Sequence, residues 1–128
     1  MKLLLDTHAF IWWDGAPSEF GPQARAACFD PVNELLLSVA SVWEMQIKVM
    51  LGKLTLRKPL RQLISDQVQQ NGLGVVAVSL EHVLRLDSLP SHHKDPFDRL
   101  LVAQALAEGW ALVSHDPAIA QYPVTVIW

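Results

Sequence analysis

The chain opens on residues 1–13, MKLLLDTHAFIWW. Leu3-Leu4-Leu5 is an unbroken apolar run of strand length, and it ends on a carboxylate, Asp6, with no turn signal between them. A strand covered on both faces is apolar at every position, whereas a half-solvated strand alternates. Lys2–Leu5 therefore reads as a short buried strand. His8–Asp14 reads as the helix that follows it, stopped by Gly15. A strand that runs directly into a helix is the first half of a βα unit, and the rest of the chain repeats that alternation.

Gly21-Pro22 starts a helical stretch through Phe29, and Asp30-Pro31 ends it. Glu34–Ser38 is a second apolar strand. Ser41-Val42-Trp43-Glu44 has the spacing of a capping box, which predicts a helix from there to Leu51 with Gly52 beyond it. Pro59 sits as a first-turn proline ahead of an amphipathic Leu60–Gln70. Gly74–Val78 (GVVAV) reads as a third buried strand and Ser79–Leu86 as a short helix. Asp95-Pro96-Phe97-Asp98 opens a helix with a cap, a first-position proline and a first-turn carboxylate, and Gly109 follows its end. Trp110–Ser114 and Val124–Trp128 are the fourth and fifth strands. Strands of about five residues separated by helices indicate an α/β domain with a parallel sheet of about five strands, flanked by helices on both faces.

The totals agree with one domain over residues 1–128. The chain is 51% hydrophobic and 18% charged, a globular composition. No apolar run approaches a membrane span, and the N-terminus lacks the features of a signal peptide. The single cysteine, Cys28, has no partner for a disulfide, which suits a cytoplasmic protein. Thirteen acids against ten Lys and Arg leave a net charge of −3, which argues against a chain that coats nucleic acid.

Four acids occupy unusual places. Asp6 follows the first strand and Asp116 the fourth, while Glu44 and Asp98 fall in first turns of expected helices. In an open parallel sheet, ligands bind beyond the carboxyl ends of the strands. Four carboxylates gathered there repel, so some are protonated or a divalent cation holds them. Hard oxygen donors select Mg²⁺ or Mn²⁺, and such a site supports hydrolysis of phosphodiesters. Each acid also has a structural reading. Glu44 fits a capping box, Asp98 a first-turn helix acid, and Asp116-Pro117 a helix start. Asp6 is the least easily explained in this way.

The stretches LLLDTHAFIWW, LLLSVASVWEMQIKVMLGKL, HHKDPFDRLLVAQALAEG and LVSHDPAIAQYPVTVIW, in this order, resemble PIN-domain ribonucleases. Within that family they are similar to VapC-type toxins of bacterial toxin–antitoxin systems. The resemblance covers nearly the whole chain. It implies a PIN-like parallel sheet and an acidic pocket that binds Mg²⁺ or Mn²⁺ and cleaves RNA. The family's acids fall on Asp6, Glu44, Asp98 and Asp116, with Ser114 in its hydroxyl position. Asp6 and Asp98 are then expected as metal ligands, and Asp116 as completing the metal shell. Glu44 is expected to orient or deprotonate the attacking water. Thr7 and Ser114 could hydrogen-bond a carboxylate or phosphate, and Asp95 is placed as the helix cap beside the site. The resemblance further implies a VapB-like antitoxin, through which alone the protein would meet DNA, and a homodimer.

Lys48, Lys53, Arg57, Lys58 and Arg61 cluster, and Lys94 and Arg99 flank the Asp98 helix start. They read either as a flank that holds an RNA backbone or as a solvated helix face. His92-His93 reads as an exposed polar loop. His8 and His82 read as packing or surface residues, and His115 is given no role. Trp43 is expected in the core, and one of Trp12 and Trp13 at the surface. Two rivals remain: a receiver-like signalling module, which would need paired acids after the first strand and a late lysine that this chain lacks, and a non-catalytic interaction module whose acids are only helix caps.

Overall fold

The computed structural model describes residues 1–128. Five strands form one sheet: β1 (Lys2–Leu5), β2 (Glu34–Ser38), β3 (Gly74–Val76), β4 (Ala111–Val113) and β5 (Val126–Ile127). All neighbours are parallel, in the order β3-β2-β1-β4-β5. Six α-helices connect them: α1 (Thr7–Gly15), α2 (Pro22–Cys28), α3 (Val39–Met50), α4 (Leu60–Asn71), α5 (Leu80–Leu84) and α6 (Pro96–Glu108).

The leucine run is buried on both faces because β1 is the central strand. Leu3 and Leu5 point into a cluster with Phe10, Trp13, Met45 and Leu63, while Leu4 points into a second one with Leu101, Val102 and Tyr122. All three leucines are fully buried. Each contributes about 1.5–3 kcal/mol by leaving water, so the register of β1 is strongly specified. Leu5 sits opposite Leu37 on one side and Val113 on the other. This register aligns the carboxyl ends of the three central strands.

Several local expectations change. Helix α1 begins at Thr7 and takes in Gly15, because Asp6 itself is the cap. The Ser41–Glu44 capping box does not form. Ser38, the last residue of β2, caps α3 through Ala40 N–H at 3.1 Å, so the cap sits three residues before Ser41 and the helix starts at Val39. Strand and helix join without a loop, which a scan for loop-borne caps overlooks. Strand β3 is shorter than GVVAV and lies at the sheet edge, paired only with β2, so Val75 is 43% exposed. Trp43 is 62% exposed and stacks edge-on against Phe97, with ring centroids 5.3 Å apart, because α3 buries the stripe of Ala40, Ser41, Glu44 and Met45 and position 43 falls on the other side. Trp13 is buried, and Trp12 is half-buried against Trp128.

The C-terminal residue closes the structure beside α2. Trp128 accepts from Ala24 N–H at 2.9 Å and packs edge-on against Phe20. A Cβ on Gly21 would lie 2.7 Å from the Trp128 carbonyl carbon and 2.6 Å from its indole. Gly21→Ala is therefore expected to lower stability by about 1–3 kcal/mol, the usual range for forced overpacking. Urea unfolding followed by tryptophan fluorescence checks this, and a loss below about 0.5 kcal/mol would show that the tail moves aside freely.

Candidate active site

The strand order reverses between β1 and β4, and crevices for ligands open at such a point beyond the strand ends. Asp6 is the first residue after β1 and Ser114 the first after β4. Asp6 donates its backbone N–H to the Val113 carbonyl at 3.1 Å, and its Oδ1 accepts from Ala9 N–H at 2.8 Å as the cap of α1. Its side chain also takes a hydrogen bond from Ser114. Asp116 donates its N–H to Ser114 Oγ at 3.1 Å and accepts from Ala118 N–H through Oδ1 at 2.9 Å. Asp98 reaches the same place from the first turn of α6, whose start is held by Asp95 accepting from Phe97 and Asp98 N–H at 2.8 and 3.2 Å. Asp6, Asp98 and Asp116 line one cleft of about 280 Å³, together with His8, Trp12 and His115.

Glu44 approaches from α3. It lies in the second helical turn and is buried at 5% exposure. Thr7 donates to its Oε1 at 2.6 Å, and Lys48, one turn on, pairs with its Oε2 at 2.7 Å. Both oxygens are thus engaged, and the buried charge has a counter-charge. That pairing raises the Lys48 ammonium above its usual range.

His93, read from sequence as loop, is part of the site. Its Nε2 lies 2.7 Å from Asp116 Oδ2 and 3.2 Å from Asp98 Oδ2. His-Lys-Asp-Pro-Phe-Asp was the available signal: a histidine two residues before a helix cap can reach over the cap to the first-turn acid. His8 also lies on the cleft rim rather than pointing away. The clustered bases are mostly committed within the chain. Arg57 forms a two-bonded pair with Asp14, Lys58 pairs with Asp66, and Lys48 holds Glu44. Arg99 clamps the preceding loop through the Pro90 and Leu86 carbonyls at 2.9 and 3.3 Å. A larger cleft, of about 710 Å³, lies around Asp14, Cys28, Glu34 and Gln67 near the start of β2. Its buried carboxylate Asp14 is already neutralised by Arg57 and bonded by Gln67 at 2.8 Å.

The electrostatics show unrelieved negative charge. Burial raises the Asp6 carboxyl above its ordinary value, against the hydrogen bonds from Ser114 and Ala9. Burial, then the charges of Asp95, Asp6 and Glu44, push Asp98 up to about 7. Burial acts upward on Asp116 too, but the Ala118 N–H and His93 outweigh it, and that carboxyl lies below its ordinary value. One ligand atom each from His93, Asp98 and Asp116 fall within 4.8 Å of one another. Carboxylate oxygens at this spacing are hard donors of the kind that suit a divalent cation.

Between its unfolded value and about 7, Asp98 holds a proton in the folded state that the unfolded chain has lost. More protons bound to the folded form means that stability falls as pH rises through that window. Metal-free protein is therefore expected to lose stability from pH 5 to 8, and Asp98→Asn to flatten that loss and be the more stable form at pH 8. Chemical denaturation across pH checks this; parallel profiles for the two proteins would contradict it.

The chain matches the PIN domain family over residues 3–124. It is 29% identical to Ribonuclease VapC22 of Mycobacterium tuberculosis, over 97% of each chain. Among solved structures it is similar to VapBC2 from Rickettsia felis bound to a promoter DNA fragment, with a TM-score of 0.73 at 15% identity, covering 98% of this chain and 97% of that one. It is also similar to FitAcB from Neisseria gonorrhoeae, with a TM-score of 0.60 at 17% identity, covering 97% and 95%. A toxin–antitoxin complex from Klebsiella pneumoniae matches with a TM-score of 0.59 at 19% identity, covering 98% and 96%. With the parallel sheet and the strand-end acids already described, the family match over nearly its whole length means that this chain belongs to the PIN-domain family.

Proposed function

We propose that this protein is a Mg²⁺-dependent endoribonuclease toxin of the VapC type, acting in the cytoplasm and restrained by a VapB-like antitoxin. The observation that carries the reading is the convergence of Asp6, Asp98 and Asp116 on one cleft at the sheet's reversal point, with Asp98 pushed up to about 7 by burial and then by neighbouring carboxylates. Full-length similarity to a ribonuclease supports RNA as the substrate. The complexes among the structural relatives support an antitoxin partner, and DNA would be met only through that partner.

Asp6 and Asp98 would hold the cation, with Asp116 completing its shell, and Mn²⁺ would substitute. When bound, the cation lowers the pKa of a water and offsets charge on the phosphate. The chain's own residues supply placement. Asp6 is fixed by Ala9 N–H and Ser114, so its carboxylate cannot swing out of the cleft. Glu44, with Thr7 and Lys48 on its two oxygens, is suited to orienting a water or ribose hydroxyl more than to taking a proton. Lys94 and the uncommitted Lys53 and Arg61 are left to meet the RNA backbone. The exposed side chains of Val39, Trp43, Leu80 and Val83, on α3 and α5, favour a second copy of this chain as a homodimer partner.

Capping alone is a competing account of Asp6 and Asp95, since both do cap helices. It leaves unexplained why Asp98 is held among three other carboxylates. Purified protein freed of antitoxin is expected to cleave structured RNA with Mg²⁺, to stop with EDTA, and to resume with Mn²⁺. Asp6→Ala is expected to reduce cleavage at least about 100-fold, more than loss of an outer-shell partner costs, with little change in far-UV circular dichroism. Equal, negligible cleavage by both proteins would leave the capping account.

A further inference from the structure

His93 touches two of the cleft's acids, the functional reading gives it no role, and its two ring nitrogens can be told apart. The Asp95 backbone N–H points at His93 Nδ1 at 3.0 Å. A backbone N–H can only donate, so Nδ1 must be the acceptor, and the neutral ring carries its proton on Nε2. That N–H faces Asp116 Oδ2 at 2.7 Å, with Asp98 Oδ2 at 3.2 Å. The two acids stand on different elements, Asp98 on α6 and Asp116 beyond β4, and the imidazole bridges them.

The loop that carries His93 is held firmly. His93 donates its backbone N–H to the Tyr122 hydroxyl at 3.0 Å, and the same oxygen accepts from Arg99 Nη1 at 3.2 Å. Tyr122 is buried at 3% exposure. The ring is thus aimed by a backbone bond at Nδ1, a pinned main chain and two carboxylates.

We propose that His93 is a positioning residue of this site, one that ties Asp98 to Asp116 through its Nε2–H and is not itself a ligand of the cation. The proposal rests on the metal-nuclease reading above. A nitrogen that carries a proton has no lone pair to give a metal. Freeing Nε2 would move the proton to Nδ1 and break the bond to the N–H of Asp95, the cap of α6. His93 instead takes one lone-pair direction on each acid and leaves the others to face the cleft. Partners of this kind orient ligating groups, and their loss typically costs 10–100-fold in metal affinity.

The test uses Mn²⁺ as the probe, with the full chain. His93→Ala is expected to weaken Mn²⁺ binding by about 10–100-fold in calorimetry, and His93→Gln, which keeps an N–H donor, to recover part of the loss. Pulsed electron paramagnetic resonance of the Mn²⁺-loaded wild type is expected to show no directly coordinated ¹⁴N. Nitrogen-detected NMR of the metal-free wild type, which needs no variant to fold, is expected to show the His93 proton on Nε2. Unchanged Mn²⁺ affinity in His93→Ala, a coordinated ¹⁴N signal lost in that variant, or a proton on Nδ1 would each overturn the proposal. Asp6→Ala in the same titration separates the two levels. If wild type binds Mn²⁺, Asp6→Ala does not, and His93→Ala matches wild type, only the role of His93 falls. If wild type binds none, both readings fall.

Discussion

Carboxylates buried near one another repel, and the region beyond β1 and β4 is arranged around containing that repulsion. Asp6 is locked by the central strand of the sheet on one side and by the N-terminus of α1 on the other. The cap is favourable in itself, since first-turn N–H groups and the helix dipole both welcome a negative charge. Asp95 does the same for α6, and Asp116 accepts from Ala118 N–H. Main-chain donors therefore hold each of these acids in place, while Asp98 is left with a raised pKa and no backbone donor at its carboxylate. Capping and function are not alternatives at Asp6; a carboxylate has lone pairs enough for both.

Charge elsewhere follows from the same containment. Lys48 lies one helical turn from Glu44 and neutralises it, and Arg57 and Lys58 serve acids of α1 and α4. The run of bases that looks from sequence like a nucleic-acid surface is largely internal wiring. In the function proposed here, affinity for an RNA backbone then rests on the cation and on a few free side chains, so salt should weaken substrate binding only with a shallow slope.

Much of the fold is legible in the sequence because central parallel strands are apolar at every position and helices carry their own punctuation. Leu3–Leu5, Asp95-Pro96 and Gly109 all mean what they suggest: a central strand, a cap with a first-position proline, and a left-handed helix end. The acids that line the cleft are also readable, since topology sends the strand-end Asp6 and Asp116 to one edge and the Asp95-Pro96 signal places Asp98 in a first helical turn. What escaped depended on direct joints and long-range neighbours. Ser38 caps α3 without a loop, and the stripe that this helix buries, Ala40, Ser41, Glu44 and Met45, leaves Trp43 facing outward. His93 sits 23 residues from Asp116 in sequence, and no local pattern states that a loop histidine will be aimed by Asp95 N–H and pinned by Tyr122.

The central claim is that the acids of the cleft gather around a divalent cation. Anomalous diffraction from crystals soaked in Mn²⁺ addresses it directly. The account predicts strong anomalous density in the cleft, within about 2.0–2.5 Å of carboxylate oxygens of Asp6, Asp98 and Asp116. A cleft without a peak at saturating Mn²⁺, or a peak instead among Asp14, Asp30 and Glu34 near the start of β2, would contradict it.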